Sequence, residues 1–549
     1  MSEAHGEFYE FDREPVSEDR LLGPGYFAAS YAGEHVAATE FVIGASFVAW
    51  GASIGDVFFG LAVGNLLAVA SWTLLCAPIA VDTRLTLYWY LRRVGGSALT
   101  GFANVLNALL YCVLAGAMIT VSASALRIPL GLPAQTGLVP DDWRFVALVL
   151  AIGTVVTWIA VRGFRRLAAF SAACSPWMFT MFVAGALAVL PALARAAGLD
   201  GVRSWSDFWQ IGQLSIWTGA TPDGRPPLTF WHVAAFAWIC NAAMHAGLSD
   251  MAVLRYARRA SYGLFSFFGT LLGHYVAWIA AGVMGAGAAV LLGRPLATLD
   301  SGDVAFAALG WSGALAVVVA GWTTANPTIY RAGLALQTLT RGASRERITL
   351  AVGVVTSVIA CFPFVFTRLL DFVGVYGLLL SPIGAIVLTE HWIFPRLGWQ
   401  RYWATRGASA LNLAAALAWL GALGVGLLLQ RVGVHLFFLF APVYVAASLI
   451  YLVLAGAIGA RAGTTPSAAE ASTQRGAETT QLVRQSPRRG ALAVIAVAAL
   501  AACLALTGSL LVSDAGIYAS RLVSVQLWLM APTLIYFLAG TWLYWGEQV

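Results

Sequence analysis

Apolar stretches long enough to cross a lipid bilayer recur about fourteen times along this chain, near residues 25–52, 56–82, 99–125, 145–162, 168–193, 230–254, 264–292, 304–325, 348–366, 369–393, 408–430, 434–458, 491–513 and 523–545. A helix rises about 1.5 Å per residue, so about 20 apolar residues cross a hydrocarbon core roughly 30 Å thick. In lipid every backbone N–H and C=O must be satisfied within the protein, and for segments of this length that means helices. Of the 549 residues, 60% are hydrophobic and only 11% charged, against about 25% charged in soluble domains. No water-soluble surface can be built from so few charges. The predicted class is therefore an all-α integral membrane protein. The acidic, polar residues 1–22 carry no basic n-region and no small-residue cleavage site, so the first apolar segment reads as a retained helix rather than a signal peptide.

The arginines orient the chain. All 32 basic residues are arginine. With the N-terminus inside, 23 of them fall in or near inner loops and tails and 9 in outer loops, which is the bias the positive-inside rule expects. Fourteen helices with both ends cytoplasmic in a plasma or inner membrane follow from it. The net charge of +6 then belongs to cytoplasmic loops, and the expected partners are membrane lipid and a small-molecule substrate, not nucleic acid. The six cysteines lie in apolar runs without metal-ligand spacing and read as packing residues. Residues 459–489, rich in Ala, Thr, Ser, Gln and Arg, cannot bury a core and read as a linker. The expected organisation is a cytoplasmic segment over 1–24, a ten-helix core over 25–395, two further helices over 396–458, a flexible cytoplasmic linker over 459–490 and a transmembrane hairpin over 491–549.

Polar residues inside a bilayer are costly, so each is a functional candidate. Gly33, Glu34 and His35 interrupt the first segment. Asn241, His245, Gly247, Ser249 and Asp250 interrupt the sixth. With five helices in each half, these are matching positions of opposite direction, the sequence pointer to a transporter built from inverted repeats with its site at the breaks. The eighth segment ends in a third cluster, with Thr323, Thr324 and Asn326 followed by Arg331. Vicinal hydroxyls and helix carbonyls are hard oxygen ligands suited to Na⁺. An amide presents a donor and an acceptor side by side to a polar ring. His232 and His274 read as packed or interfacial. Tyr111 and Trp238 are the aromatics placed to stack on a substrate. There is no phosphate loop, metal-ligand cluster or nucleophile motif, so transport rather than catalysis is expected.

Four stretches together resemble the purine–cytosine permeases of the nucleobase–cation symporter family: Gly60 to Asn65; Ser249-Asp250 with Arg255-Tyr256-Ala257; Asn326-Pro-Thr-Ile-Tyr330 with Leu334-Ala-Leu-Gln337; and Ser381-Pro-Ile-Gly384 through Glu390-His-Trp392. The resemblance spans about residues 20 to 400. It implies a LeuT-type fold of five plus five inverted helices, extended here by C-terminal helices, and cation-coupled uptake of a nucleobase or related flat heterocycle. It implies a ring held between aromatics of helices three and six and hydrogen-bonded by amides, which places Tyr111, Trp238, Asn241 and Asn326 at the substrate beside Gly33, Glu34, His35 and His245. It implies a cation site of helix-one carbonyls and helix-eight hydroxyls, at Ala37, Ala38, Thr323 and Thr324. No cofactor is expected other than Na⁺ as a coupling ion. If the ion is H⁺ instead, Glu34, His245 and Asp250 are the candidates to carry it. The alternatives are an amino-acid or other organocation transporter of the same fold and, further off, an integral-membrane transferase.

Overall fold

A computed structural model describes residues 11–461 and 487–545, apart from positions 12, 136, 341, 407, 408 and 515. The expected linker therefore lies almost wholly outside the described residues. Among those described, eleven helices are long and apolar enough to cross a membrane. Three more segments complete the expected fourteen. The first is in two pieces, Pro24–His35 and Thr39–Ala49. The sixth is in three, Phe230–Ile239, Ala242–His245 and Met251–Leu254. The ninth, Arg345–Ala360, has 16 residues.

Two spans are longer than hydropathy predicts. The third runs over Leu87–Arg127, because a short helix preceding it joins it across a kink at Gly96. There φ is +75°, and the carbonyl of Ala410 packs where a Cβ would sit, so only glycine fits. The eighth runs over Ser301–Gln337. Its polar end, which reads as a loop in sequence, continues as helix because the protein rather than lipid surrounds it. The apolar stretches of the third, the fifth (Phe164–Ala196) and the eighth spans are each 78% buried, whereas that of the thirteenth (Gly490–Val512) is 22% buried. The core thus sits around spans three, five and eight, and the C-terminal pair lies at the periphery. Hydrogen bonds tie that pair to the core, from Tyr518 Oη to the Ala188 carbonyl, from Tyr536 Oη to the Ala173 carbonyl, from Gln526 Nε2 to the Ala307 carbonyl, and between Thr533 Oγ1 and both Trp177 Nε1 and Ser312 Oγ.

The breaks are held from outside. The helix ends at His35, where Val36 leaves helical geometry, and resumes at Thr39, and the carbonyl of His35 packs against Gly273 of the seventh span, Ala260–Leu292. In the sixth span Leu248 adopts φ +66°, and the Ala246 carbonyl packs against Gly384 of the tenth span, Leu369–Leu388. A side chain at either glycine would collide with a backbone oxygen. The end of the tenth span is tied down by Glu390, which accepts from Tyr451 Oη and from the Tyr402 N–H at 2.5 Å, and by His391, 3.0 Å from Tyr90 Oη.

Candidate functional site

Both breaks open on one cavity of about 50 Å³, lined among others by Glu34, His35, Ala37, Thr39, Glu40 and Asn241. Thr324, His274 and Tyr376 complete its polar wall, and Leu114, Met118 and Val373 its apolar one. The space suffices for a few waters, so a ring-sized ligand requires the wall to move. Five predicted residues therefore meet here: Glu34, His35, Ala37, Asn241 and Thr324.

The cation-site candidates converge across 290 residues of sequence. Thr324 Oγ1 donates to the Glu34 carbonyl at 3.0 Å and to the Ala320 carbonyl at 3.3 Å, and Thr323 Oγ1 donates to the same Ala320 carbonyl at 3.0 Å. The eighth span thus places the Thr324 hydroxyl against the helix-one break, while the Thr323 hydroxyl lies against Ala320 and Met178. Ala38 immediately precedes the second piece of the first span, Thr39–Ala49, and the Ala37 carbonyl accepts the Glu40 N–H at 3.2 Å.

Beneath the cavity lies a buried charge triad. Arg331 binds Glu34 with both arms, Nη1 to Oε1 at 2.6 Å and Nη2 to Oε2 at 3.0 Å, and donates to Asp250 Oδ1 at 2.5 Å. Trp72 Nε1 satisfies Asp250 Oδ2 at 2.6 Å. Exposure of Arg331 is 0% and of Asp250 0%, so Arg331 is no inner-loop charge, as the arginine count supposes, but the counter-ion of two intramembrane acids. Arg255 is likewise fully buried, with Nη1 on the Phe11 carbonyl at 2.5 Å. Its charge also lies within the protein.

Other predicted residues fall outside the cavity. Tyr111 sits one layer behind it, edge-on to Tyr376 at 5.8 Å and 3.4 Å from Tyr88 Oη. Trp238 turns away, donating to Ser71 Oγ at 3.0 Å and packing on Phe440 at 5.0 Å. His245 braces the sixth-span break, with Nε2 2.9 Å from the Trp238 carbonyl. Gly33 allows the first span to approach Ser171 of the fifth. Asn326 is 1% exposed, with neither amide atom partnered. It lies one turn from Thr323, whose hydroxyl also meets Met178 of the fifth span. Register explains these placements: residues of one helix at unlike angles cannot all face one cavity.

The cavity takes its aromatic wall from residues that sequence reading passes over. His274, expected to be only packed, lines it, stacked on Trp278 at 4.3 Å and tilted against His35 at 4.9 Å. Trp278 Nε1 donates to Glu40. Glu40 was visible as an acid inside the first apolar segment, the signal that singled out Glu34. Phe47, Phe236 and Trp278 contact one another and link this cavity to a larger one of about 320 Å³ beyond the end of the first span, at Trp50, Phe236 and Phe437. His232, in contrast, caps its own helix, 2.9 Å from Thr229 Oγ1.

Two oppositely directed, interrupted helices around a polar cavity within an all-helical membrane bundle define the LeuT-type transporter fold. Solved transporters share it. Mhp1, a nucleobase-cation-symport-1 family transporter, in a closed conformation with bromovinylhydantoin bound, matches with a TM-score of 0.58 at 16% identity, over 83% of this chain and 98% of that one. Its inward-facing conformation matches at 0.59 and 17% identity, over 84% and 97%. A substrate-bound, outward-open Na⁺-coupled sialic acid symporter matches at 0.58 and 13% identity, over 83% and 95%. No protein-family profile matches the sequence, and no curated protein is significantly similar to it.

Proposed function

We propose that the protein is a secondary active transporter that carries a nucleobase or related flat heterocycle across the cell membrane by alternating access, coupled to a cation. The observation that carries this reading is the cavity between the two helix breaks, flanked by the Thr324 hydroxyl on the Glu34 carbonyl. Freed backbone and paired hydroxyls supply a cation site, and two imidazoles, a tyrosine ring and an amide supply a polar, partly aromatic wall for a planar ring. The resemblance in sequence and the fold shared with a transporter whose structure has bromovinylhydantoin bound point the same way.

Na⁺ is the proposed coupling ion, held by the hydroxyls of Thr323 and Thr324 with carbonyls at the helix-one break, Ala37 and Ala38 included. Glu34, His245 and Asp250 carry a proton in the alternative. Both termini are proposed to face the cytoplasm, with residues 25–395 as the transporting core. The test is uptake into liposomes holding the purified protein, run over nucleobases and hydantoins with and without a Na⁺ gradient. Thr324→Ala should raise the Na⁺ needed for half-maximal uptake several-fold, a loss of about 1 kcal/mol for one oxygen ligand. Uptake that ignores Na⁺ in the parent protein assigns the coupling to H⁺, and the absence of any heterocycle uptake overturns the reading.

A further inference from the structure

The second cavity, of about 320 Å³, lies at the end of the first span away from the chain's N-terminus. It falls in the size range of small-molecule sites, which begins at roughly 300 Å³. Trp50, Phe236 and Phe437 wall it, and Arg225 and His435 bring hydrogen-bonding groups to it. Its frame is fixed by backbone. The Leu228 N–H donates to the Trp50 carbonyl at 3.1 Å, and the Ala220 carbonyl group packs where a Cβ of Gly51 would sit. Phe437 comes from the turn Leu436–Phe438 between the eleventh and twelfth spans, outside the proposed ten-helix core. Leu436 leans on Gly374 of the tenth span, and the Phe437 ring lies 6.0 Å from Trp50 and 5.0 Å from Phe236. Both polar groups are donors. Arg225, with its side chain 78% exposed, gives Nε and Nη2 to Asp223 at 2.6 Å each, which leaves it further N–H groups. His435 Nδ1 accepts the Phe437 N–H at 3.3 Å, so in the neutral ring Nε2 carries the proton.

Aromatic rings grouped around an open cavity with a charged rim mark a binding surface, and their continuation inward says what it binds. Phe236 meets Phe47 at 5.7 Å, Phe47 meets Trp278 at 5.8 Å, and Trp278 stacks on His274 of the central cavity. Trp50 follows the helix piece Thr39–Ala49 directly, and Phe236 belongs to the piece Phe230–Ile239. The two interrupted spans that frame the central cavity therefore frame this one as well. A ring that comes from this end toward the central cavity, which is shut at about 50 Å³, meets these aromatics first. We infer that this cavity is a second binding site for the transported heterocycle, in which the ring stacks on Phe437 and its acceptor atoms, ring carbonyls or ring nitrogens, face Arg225 and His435. The helices beyond the core thereby supply a wall of the substrate's path. This rests on the proposed transport of a flat heterocycle and adds a second station to its route.

Counting bound ligand tests it. Tritiated uracil, hypoxanthine and hydantoin are each titrated onto the full-length protein in lipid nanodiscs, and the same probes are offered for uptake into liposomes. At least one probe should bind at two sites per chain. Phe437→Ala should weaken one of the two about ten-fold or more, as loss of a stacking ring does, and Phe437→Tyr, which keeps the ring, should weaken neither. Phe437→Leu keeps apolar volume without a π-face and should behave as Phe437→Ala does, which separates lost stacking from a lost fold. Position is read from Thr221→Cys, which sets a thiol at this cavity while the six native cysteines are buried. The probe should slow alkylation of that thiol, and the concentration giving half-protection should rise about ten-fold when Phe437→Ala is added. Uptake of a probe with no more than one molecule bound per chain, or protection that Phe437→Ala and Phe437→Leu both leave unchanged, overturns the second site and leaves the transporter reading standing. No binding and no uptake of any probe overturns both.

Discussion

Arg331 lies at a depth where an unpaired charge would be prohibitive, and its two acids come from the breaks of the first and sixth spans. Removing one member of such a group strands the others without water, at a cost of about 3–5 kcal/mol. Arg331→Met should therefore abolish a monodisperse fold in detergent, as judged by size-exclusion chromatography. The triple change Arg331→Met, Glu34→Gln, Asp250→Asn should recover it, because no charge is then left unpaired. Failure of the triple variant to recover would mean the triad does more than balance charge. The aromatics divide in the same concrete way. Tyr376 faces the cavity, so Tyr376→Ala should cut heterocycle uptake about ten-fold, given that stacking on an aromatic is worth roughly 1–3 kcal/mol per base. Trp238 faces Ser71 and Phe440, so Trp238→Ala should lower the melting temperature while leaving the substrate requirement unchanged.

At the scale of elements, the two breaks are kept open by neighbours that bring no side chain. A helix interrupted inside a membrane needs its freed carbonyls close to something other than lipid, and here the seventh and tenth spans approach them through Gly273 and Gly384. A Cβ on Gly384 would overlap the Ala246 carbonyl, and the surrounding backbone has little room to yield. Gly384→Ala should destabilise the protein by about 1–3 kcal/mol, the usual cost of overpacking, seen as a lower melting temperature. Gly25→Ala is the matched control: nothing lies within 4 Å of the added atom, so no change is expected. Equal melting of both variants would show that the tenth span is not pressed against the break. The positions of the breaks were legible in sequence, because Glu34, His35, His245 and Asp250 sit inside otherwise apolar runs. What holds them was not, since a glycine among fifty-six carries no mark of the carbonyl it will meet.

For the whole molecule, the C-terminal pair adds helices to a core that is anchored elsewhere. Apolar helix surface is solvated about as well by lipid tails as by another helix, and interhelical hydrogen bonds in membranes average only about 0.6 kcal/mol. Truncation after Arg461 should accordingly leave a folded, transporting protein that melts a few degrees lower. Loss of all uptake with an intact fold would instead assign the pair a part in the transport cycle. Sidedness can be read from single cysteines introduced at Leu138, which is 70% exposed, and at Ser472, because the six native cysteines are all buried. An impermeant thiol reagent applied outside cells should label the first and spare the second, and equal labelling would contradict the proposed topology.

The sequence alone determined that this chain lives in a membrane, that it crosses about fourteen times, and that its first and sixth crossings are interrupted. Each of these depends on local length and hydropathy, which lipid enforces without reference to the rest of the fold. The tertiary structure decided which polar groups meet. Arg331 reads as a loop charge until Glu34 and Asp250, 297 and 81 residues away, are found on its two arms. Tyr111 and Trp238 read as a stacking pair until Tyr376 and His274 are found at the cavity instead. A helix apolar on every face offers no periodicity to show which side is inward. That choice is made only when the helices pack and the few polar groups must find one another out of reach of water.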